Sequence, residues 1–171
     1  MKKLSLVIIT GILKLSVAIL LFLAFPKSLE HFPPNYFTDK QCLAANIFYE
    51  ARGESERGMK AVAAVTYNRV ATKGFPDTVC KVVFQRKQFS WTHQESYSRI
   101  VKILNAELDD FSEKDQKIYK KILDLVELPE VHLTQELPKG TVFYHSVKVK
   151  PYWTKFKAKV KQIGNHIFYK E

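Results

Sequence analysis

Apolar residues recur at helical spacing through much of the chain between residues 38 and 127. Thr38 and Gln41 have the spacing of a capping box, which predicts that a helix begins at about Asp39. The apolar pattern continues to Arg52, and Gly53 is suited to end the helix. The same periodicity predicts four further helices, at about residues 56–72, 78–85, 95–108 and 112–127. The stretch RKQFSWTHQES, residues 86–96, predicts an exposed aromatic loop.

The pattern changes after Pro129 from helical spacing to short alternating runs. TVFYHS, which follows Gly140, predicts a strand. KAKVKQI and NHIFYK predict a β-hairpin that turns at Gly164-Asn165. The expected fold class is therefore α+β: a helical domain with a small C-terminal antiparallel β element.

The N-terminus is a long apolar run from Leu4 to Phe25, broken by Lys14 and preceded by two lysines. About 20 apolar residues span a bilayer. A cleaved signal peptide has a shorter apolar core and a small-residue cleavage site, which is not evident before Pro26. We therefore expect an uncleaved signal anchor, with a cleaved signal peptide as the alternative. The expected organisation is a signal anchor or signal peptide at 1–25, a linker at 26–37 and one domain at 38–171, outside the cytoplasm.

The formal charge of +10 is unevenly distributed. From Lys139 to Glu171 the chain has eight lysines and one glutamate, which alone gives +7. Such a basic surface suits nucleic acid, anionic lipid or anionic cell-wall polymer. An exported protein does not meet nucleic acid, so we expect none as a partner and take the C-terminal lysines to hold the protein near anionic wall material.

The chain has two cysteines, Cys42 and Cys80. Cysteines outside the cytoplasm can form a disulfide, and two free buried thiols are the alternative. Neither cysteine has a second ligand at metal-binding spacing. We therefore expect a disulfide, no metal site and no cofactor.

Glu50 occupies an unusual position in the first predicted helix. At 100° per residue it falls between Leu43 and Ile47 on the apolar face, whereas Arg52 points to the opposite side. A buried carboxylate is costly unless it is paired, and burial raises its pKa. A carboxyl group that keeps its proton near neutral pH is what a general acid for glycoside cleavage needs.

The spacing alone leaves two interpretations of Glu50 open. One is a proton donor. The other is a structural salt bridge with Arg69, which falls near the apolar face of the second predicted helix. Glu54 lies just past the end of the first helix and is a second candidate partner for Arg69, which would leave Glu50 free. Glu56 suits the first turn of the second helix.

CLAANIFYEARGESERGMKAVAAVTYNRV, residues 42–70, resembles the SleB/CwlJ cell-wall hydrolase family of spore-cortex-lytic enzymes and related bacterial and phage hydrolases. FPDTVCKVVFQ, QFSW, FYH, PYW and IGNHIFY agree with it in the same order. The resemblance extends from about Thr38 to Tyr169, with no matching motif between about Glu95 and Val131.

The resemblance implies a lysozyme-like fold and cleavage of the glycan strands of peptidoglycan. Glu50 matches the first glutamate of the family's E-A-R-G-E motif, which is its catalytic acid. Members are lytic transglycosylases, in which the sugar's own 6-hydroxyl replaces water, so one carboxyl group serves as acid and then as base. The residues that the resemblance suggests for the glycan groove are Phe89, Ser90, Trp91, Tyr144, His145, His166 and Tyr169.

Other functions remain open at this point. They are hydrolysis by a muramidase or glucosaminidase, an amidase, or a non-catalytic wall-binding protein. The chain also departs from the spore-cortex members, which carry a separate binding domain. The membrane segment and the basic C-terminal region indicate an envelope hydrolase or phage lysin, with an oligomeric state that the sequence does not fix.

Overall fold

The computed structural model describes residues 36–171, and the helical pattern of the sequence is present there. The α-helices are α1 Asp39–Ala51, α2 Glu56–Val70, α3 Val79–Val83, α4 Trp91–Gln94, α5 Tyr97–Leu104, α6 Glu113–Val126 and α7 Glu130–Thr134. The strands are β1 Thr141–Ser146, β2 Ala158–Ile163 and β3 His166–Lys170, with a 3-10 helix at Tyr152–Lys155 before β2. This is the expected α+β class, rich in helix with a small antiparallel sheet.

Local capping fixes where the long helices begin. Thr38 Oγ1 accepts a hydrogen bond from the Gln41 backbone N–H, and Gln41 Oε1 accepts one from the Thr38 backbone N–H. This is the predicted capping box. Ser55 and Ser112 cap α2 and α6 in the same way, each through its side-chain oxygen. Short polar side chains thus stop the helices from extending backwards into the connecting loops.

Helix α1 passes through the core of the described domain. Leu43 and Ile47 are fully buried, and Phe48 is 1% exposed. The Phe48 ring meets the Tyr119 ring of α6 edge-on, with 5.5 Å between centroids. Burying apolar side chains on both flanks of α1 removes them from water, which is the main stabilising term of such a domain. The helix is therefore a rigid support for whatever projects from its last turn.

The sheet has the order β1-β3-β2, and both pairings are antiparallel. The predicted hairpin is confirmed, since β2 and β3 pair around Gly164-Asn165. In the β1–β3 pairing Tyr144 is opposite Phe168, and Ser146 is opposite His166. Phe168 and Ile163 pack with side chains of α2, so one face of the sheet covers that helix.

Two local predictions are wrong. Residues 86–96 are not an exposed aromatic loop: they contain helix α4, and Phe89 and Trp91 are 3% and 4% exposed. The Trp91 indole N–H donates to Asn46 Oδ1 at 3.3 Å and its ring stacks on Tyr49 at 4.5 Å. These partners come from α1, which local sequence around Trp91 does not reveal. Helix α7 was also absent from the sequence prediction.

The predictions for the N-terminus lie outside the described residues, because residues 1–35 are not described. They are the signal segment at 1–25 and most of the linker at 26–37. Within residues 36–171 none of the helices combines the length and the apolar character needed to cross a membrane.

Cys42 of α1 and Cys80 of α3 form a disulfide, with their Cα atoms 5.2 Å apart. Both residues are 1% exposed. Asp39 Oδ1 also accepts a hydrogen bond from the Cys80 backbone N–H at 3.1 Å. The start of α1 is thereby joined to α3 by a covalent and a polar contact.

Replacing both cysteines, Cys42→Ala with Cys80→Ala, should lower the free energy of unfolding by about 2–4 kcal/mol, because the loop between them gains freedom in the unfolded chain. Urea unfolding followed by circular dichroism measures the change. Wild-type protein under reducing conditions is the matched control and should lose a similar amount. An unchanged midpoint in both would show that the disulfide does not stabilise the domain.

Candidate active site

Glu50 lies in the last turn of α1 and is half-buried. Its Oε2 accepts a hydrogen bond from the Tyr144 hydroxyl at 3.0 Å. Tyr144 belongs to β1 and packs against the apolar cluster of α2, β2 and β3. The carboxyl group therefore sits where the end of α1 meets the sheet, with its side chain turned inward as the helical wheel predicts.

The surroundings of Glu50 favour its protonated form. Burial raises the pKa of the Glu50 carboxyl above its ordinary value, while the Tyr144 hydrogen bond and the charge of Arg69 oppose that rise. Desolvation is the largest of these effects because the charged form loses more hydration than the neutral form. Tyr144 stays protonated, since burial and the adjacent Glu50 hold the pKa of its hydroxyl well above the usual range.

Arg69 of α2 lies close enough to Glu50 and Tyr144 for its charge to act on both. It is 5% exposed, and its Nε donates to the Val142 carbonyl at 2.9 Å. Its guanidinium lies over the rings of Phe75 and Phe89, 5.6 and 5.3 Å from their centroids. One guanidinium nitrogen, Nη1, is buried without a hydrogen-bond partner within the described residues. Arg69 thus brings a positive charge and a spare donor to the environment of Glu50.

The raised pKa of Glu50 makes the stability of the domain depend on pH. Above about pH 4.5 an ordinary glutamate ionises in the unfolded chain, whereas folded Glu50 still holds its proton. The folded state then binds more protons, so stability falls as pH rises through the pKa of folded Glu50. Glu50→Gln removes this loss, and the variant should gain stability over the wild type progressively above pH 4.5.

Urea unfolding at a series of pH values tests this expectation. Glu56→Gln is the matched control, because the Glu56 side chain is exposed and pairs with Lys60 one turn away. Its stability difference from the wild type should change little over the same range. A Glu50→Gln difference that is constant with pH would show that burial does not raise the pKa of Glu50.

Glu54 does not pair with Arg69, and that prediction is wrong. Its Oε1 accepts from the Asn165 side-chain amide at 2.9 Å, and its Oε2 accepts from the Asn165 backbone N–H at 3.2 Å. A Cβ atom on Gly164 would come within 1.9 Å of Glu54 Oε2 and would displace this carboxylate, and the positive φ of 55° also favours glycine there. The loop after α1 is therefore fastened to the turn of the β2–β3 hairpin.

The Glu54–Asn165 contact should stabilise the hairpin. We expect Glu54→Gln to cost about 1 kcal/mol, because one of two hydrogen bonds to a charged acceptor is lost. We expect Glu56→Gln, the matched control in the same segment, to stay within about 0.5 kcal/mol of the wild type. Urea unfolding gives both values, and hydrogen exchange at the Asn165 amide shows whether the loss is local. Equal effects of the two variants would contradict the assignment.

Two of the predicted groove residues lie on the Glu50 side of the sheet. They are Tyr144 and His166, whose rings meet edge-on at 5.2 Å. His166 is 8% exposed and its Nδ1 is buried without a hydrogen-bond partner within the described residues. Burial lowers the pKa of its imidazole below the ordinary value, so the ring is neutral near pH 7.

His145 and Tyr169 lie on the face of the sheet opposite to Tyr144 and His166. Successive residues of a strand point to opposite faces, and His145 follows Tyr144 directly. His145 Nε2 and the Tyr169 hydroxyl are 3.0 Å apart, and both rings contact Trp153. The sequence predicts correctly that the strands of His145 and His166 are neighbours, but it does not show which face of the sheet each side chain occupies.

The three predicted groove residues of the QFSW segment differ in exposure. Ser90 is exposed, whereas the rings of Phe89 and Trp91 are buried. Phe89 supports the Arg69 guanidinium and Trp91 packs on Tyr49. Ser90 is therefore the member that presents a side chain to solvent.

An open cleft of about 760 Å³ lies between the start of α2 and α6. Its lining comprises Arg52, Glu54, Ser55, Glu56, Met59, Ile118, Lys121, Asp124, Leu125 and Leu128. Its size is in the range of small-molecule sites. The lining includes neither Glu50 nor any of the seven predicted groove residues, so this cleft is distinct from the predicted groove and touches the Glu54 loop instead.

The sequence prediction missed two groups that shape the site. One is Asn165, which receives Glu54, and the other is the Val142 carbonyl, which orients Arg69. The Gly164-Asn165 turn was recognised from its residue types, but its partner is distant in sequence. A backbone carbonyl carries no sequence signal at all.

A model of the cell wall hydrolase family matches residues 53–169. The chain belongs to this family. The match begins three residues after Glu50, so it does not itself test the role of that glutamate.

The chain is similar to spore cortex-lytic enzymes. It is 31% identical to that of Oceanobacillus iheyensis over 134 residues, which cover 77% of this chain and 41% of the relative. It is 29% identical to that of Bacillus cereus over 143 residues, covering 80% and 47% respectively. The chain thus spans less than half the length of these relatives.

One similar solved structure is the catalytic domain of the germination-specific lytic transglycosylase SleB from Bacillus anthracis. The identity is 25%, the TM-score is 0.47, and the match covers 80% of this chain and 98% of that one. The catalytic domain of the Bacillus cereus SleB protein is 26% identical with a TM-score of 0.45, covering 80% and 94%.

Proposed function

We propose that the chain cleaves the glycan strands of peptidoglycan as a lytic transglycosylase, with Glu50 as its acid and base. The observation that carries the proposal is the half-buried Glu50 carboxyl group, which has a raised pKa and accepts a hydrogen bond from the Tyr144 hydroxyl. Membership of the cell wall hydrolase family supports the substrate class. The proposed bond is the one between N-acetylmuramic acid and N-acetylglucosamine, and the proposed fold relationship is to lysozyme.

In the first step the protonated Glu50 donates its proton to the glycosidic oxygen as the bond from that oxygen to C1 breaks. General acid catalysis of this kind requires a carboxyl group that is still protonated near neutral pH. Burial raises the pKa of the Glu50 carboxyl and so shifts it towards this condition. The products of the step are a free hydroxyl on the leaving sugar and a positively charged sugar ring.

In the second step the 6-hydroxyl of the same ring attacks C1, and the Glu50 carboxylate takes the hydroxyl proton. The new bond closes an anhydro ring and returns Glu50 to its starting form, so no water is consumed. Between the steps Glu50 is ionised. The Tyr144 hydroxyl and the charge of Arg69 both favour that ionised form, because they lower its pKa.

The surroundings of Glu50 are consistent with one working carboxyl group. Hydrolytic glycosidases generally use two, separated by about 5–10 Å. The pKa of Glu50 is shifted by its own burial, by Tyr144 and by Arg69. Glu54, the next carboxylate along the chain, accepts two hydrogen bonds from Asn165. One carboxyl group is sufficient for transglycosylation, which is the reaction that we propose.

The proposed reaction requires that the domain reaches peptidoglycan, which lies outside the cytoplasmic membrane. We therefore propose an extracytoplasmic location, with the N-terminal segment at residues 1–25 serving for export or anchoring. The linker at 26–37 would then separate the membrane from the hydrolase domain at 38–171.

Glu50→Gln should abolish release of soluble fragments from purified peptidoglycan, with a loss of at least about 100-fold. Gln keeps the shape and an acceptor for Tyr144 but has no proton to donate. Glu56→Gln, which alters a nearby exposed glutamate, should retain wild-type activity. Mass spectrometry of the fragments distinguishes the reactions, since anhydro ends are lighter by one water than hydrolysed ends.

Each alternative function has its own outcome in this experiment. Hydrated sugar ends would indicate a muramidase or glucosaminidase, and released peptides an amidase. Undiminished cleavage by a folded Glu50→Gln variant would remove Glu50 from the mechanism. Binding to peptidoglycan without any cleavage by the wild type would make the chain a wall-binding protein.

A further inference from the structure

The face of the sheet that points away from Glu50 carries an aromatic cluster of its own. Phe143, His145 and Tyr169 project there, and Trp153 of the 3-10 helix packs on all three with ring centroids 5.3–5.7 Å apart. The proposed catalysis uses none of them. Residues 147–159 cover this cluster, and we call this segment the outer surface.

The outer surface exposes large apolar side chains. Tyr152 is 70% exposed and Phe156 is 67% exposed, and their rings meet at 5.2 Å. Val149 and Val147 are 55% and 41% exposed. Single exposed apolar residues are ordinary, but a contiguous group of this kind marks an interaction site. The four residues account for half of the eight exposed large hydrophobics within the described part of the chain.

The same segment is strongly basic. Residues 147–159 contain five lysines and no acidic residue. One of them, Lys157, pairs with Glu171 at 3.2 Å, and its side chain is 24% exposed. The other four, Lys148, Lys150, Lys155 and Lys159, are exposed. Because Lys159 is opposite Tyr169 in the sheet, its position lies over the aromatic cluster.

The combination of charge and apolar exposure distinguishes between anionic partners. Sugar rings of a wall polymer can stack on aromatic side chains such as Tyr152 and Phe156, but a wall polymer has no apolar layer for the exposed aliphatic side chains of Val147 and Val149. The headgroup region of an anionic membrane accepts both, because aromatic side chains enter it while lysines pair with lipid phosphates. A membrane thus accommodates the exposed valines, the exposed rings and the lysines together.

We propose that the outer surface docks on an anionic lipid membrane, with Tyr152 and Phe156 entering the headgroup region. Docking through this face leaves the opposite face of the sheet, with Tyr144 and Glu50, directed away from the lipid and towards the wall. The proposal is independent of the reaction at Glu50 and of the fate of residues 1–25.

Tryptophan fluorescence tests the proposal in the full chain. The two tryptophans are Trp91, which is buried, and Trp153, which adjoins Tyr152. Residues 1–35 contain no tryptophan, so the signal reports the domain even when the N-terminal segment inserts. Lipids brominated near the headgroup in vesicles containing phosphatidylglycerol should quench Trp153. Vesicles of phosphatidylcholine alone should not, and added salt should reduce the quenching.

Two variants separate the apolar and the basic contributions. Tyr152→Ser with Phe156→Ser should abolish quenching, and so should replacing Lys148, Lys150, Lys155 and Lys159 by Gln, since each lysine contributes about fivefold in lipid affinity. The matched control replaces four lysines of α6, Lys114, Lys117, Lys120 and Lys121, by Gln and should leave quenching unchanged. Near-ultraviolet circular dichroism confirms that each variant is folded.

Three results would overturn the proposal. One is absence of quenching in the wild type with phosphatidylglycerol. Another is quenching that both outer-surface variants retain. The third is an equal loss in the α6 control, which would show a general charge effect. Lysine-dependent sedimentation with purified anionic wall polymer, without lipid quenching, would assign the surface to the polymer instead.

Discussion

The hydrogen bond from Tyr144 to Glu50 joins the end of α1 to the sheet, and the candidate active site depends on it. This hydrogen bond can form because α1 and β1 are each held in place by other contacts. Helix α1 is fixed by its buried flanks, and β1 is fixed by α2, where Arg69 donates to the Val142 carbonyl. A carboxyl group at this junction loses hydration, which raises its pKa. The chemistry proposed for Glu50 is therefore a consequence of how two elements meet.

The antiparallel sheet separates two kinds of surface. Its inner face packs on α2 and carries Tyr144 and His166 towards Glu50. Its outer face carries His145 and Tyr169 into a separate aromatic cluster beneath the 3-10 helix. Because strand side chains alternate, neighbouring residues of one motif serve different surfaces. The FYH segment, which reads as one functional unit in sequence, is thereby divided between the proposed reaction and the proposed lipid contact.

Several features followed from local sequence because their causes are local. The capping box at Thr38, the helical stripe of α6 and the Gly164-Asn165 turn each depend on residues a few positions apart. The partner of Glu54 did not follow. Opposite charge favours Arg69 as its partner, yet Asn165 offers a backbone and a side-chain donor at the hairpin turn beside Gly164.

The sequence by itself determined the α+β class, the inward orientation of Glu50 and the resemblance to cell wall hydrolases, since periodicity and motif order are properties of the linear chain. Only the tertiary structure decided that Tyr144 bonds Glu50, that Arg69 rests on Phe75 and Phe89, and that Trp91 is buried. These facts depend on contacts between elements distant in sequence. Burial, and the pKa that follows from it, is a property of the surroundings in space.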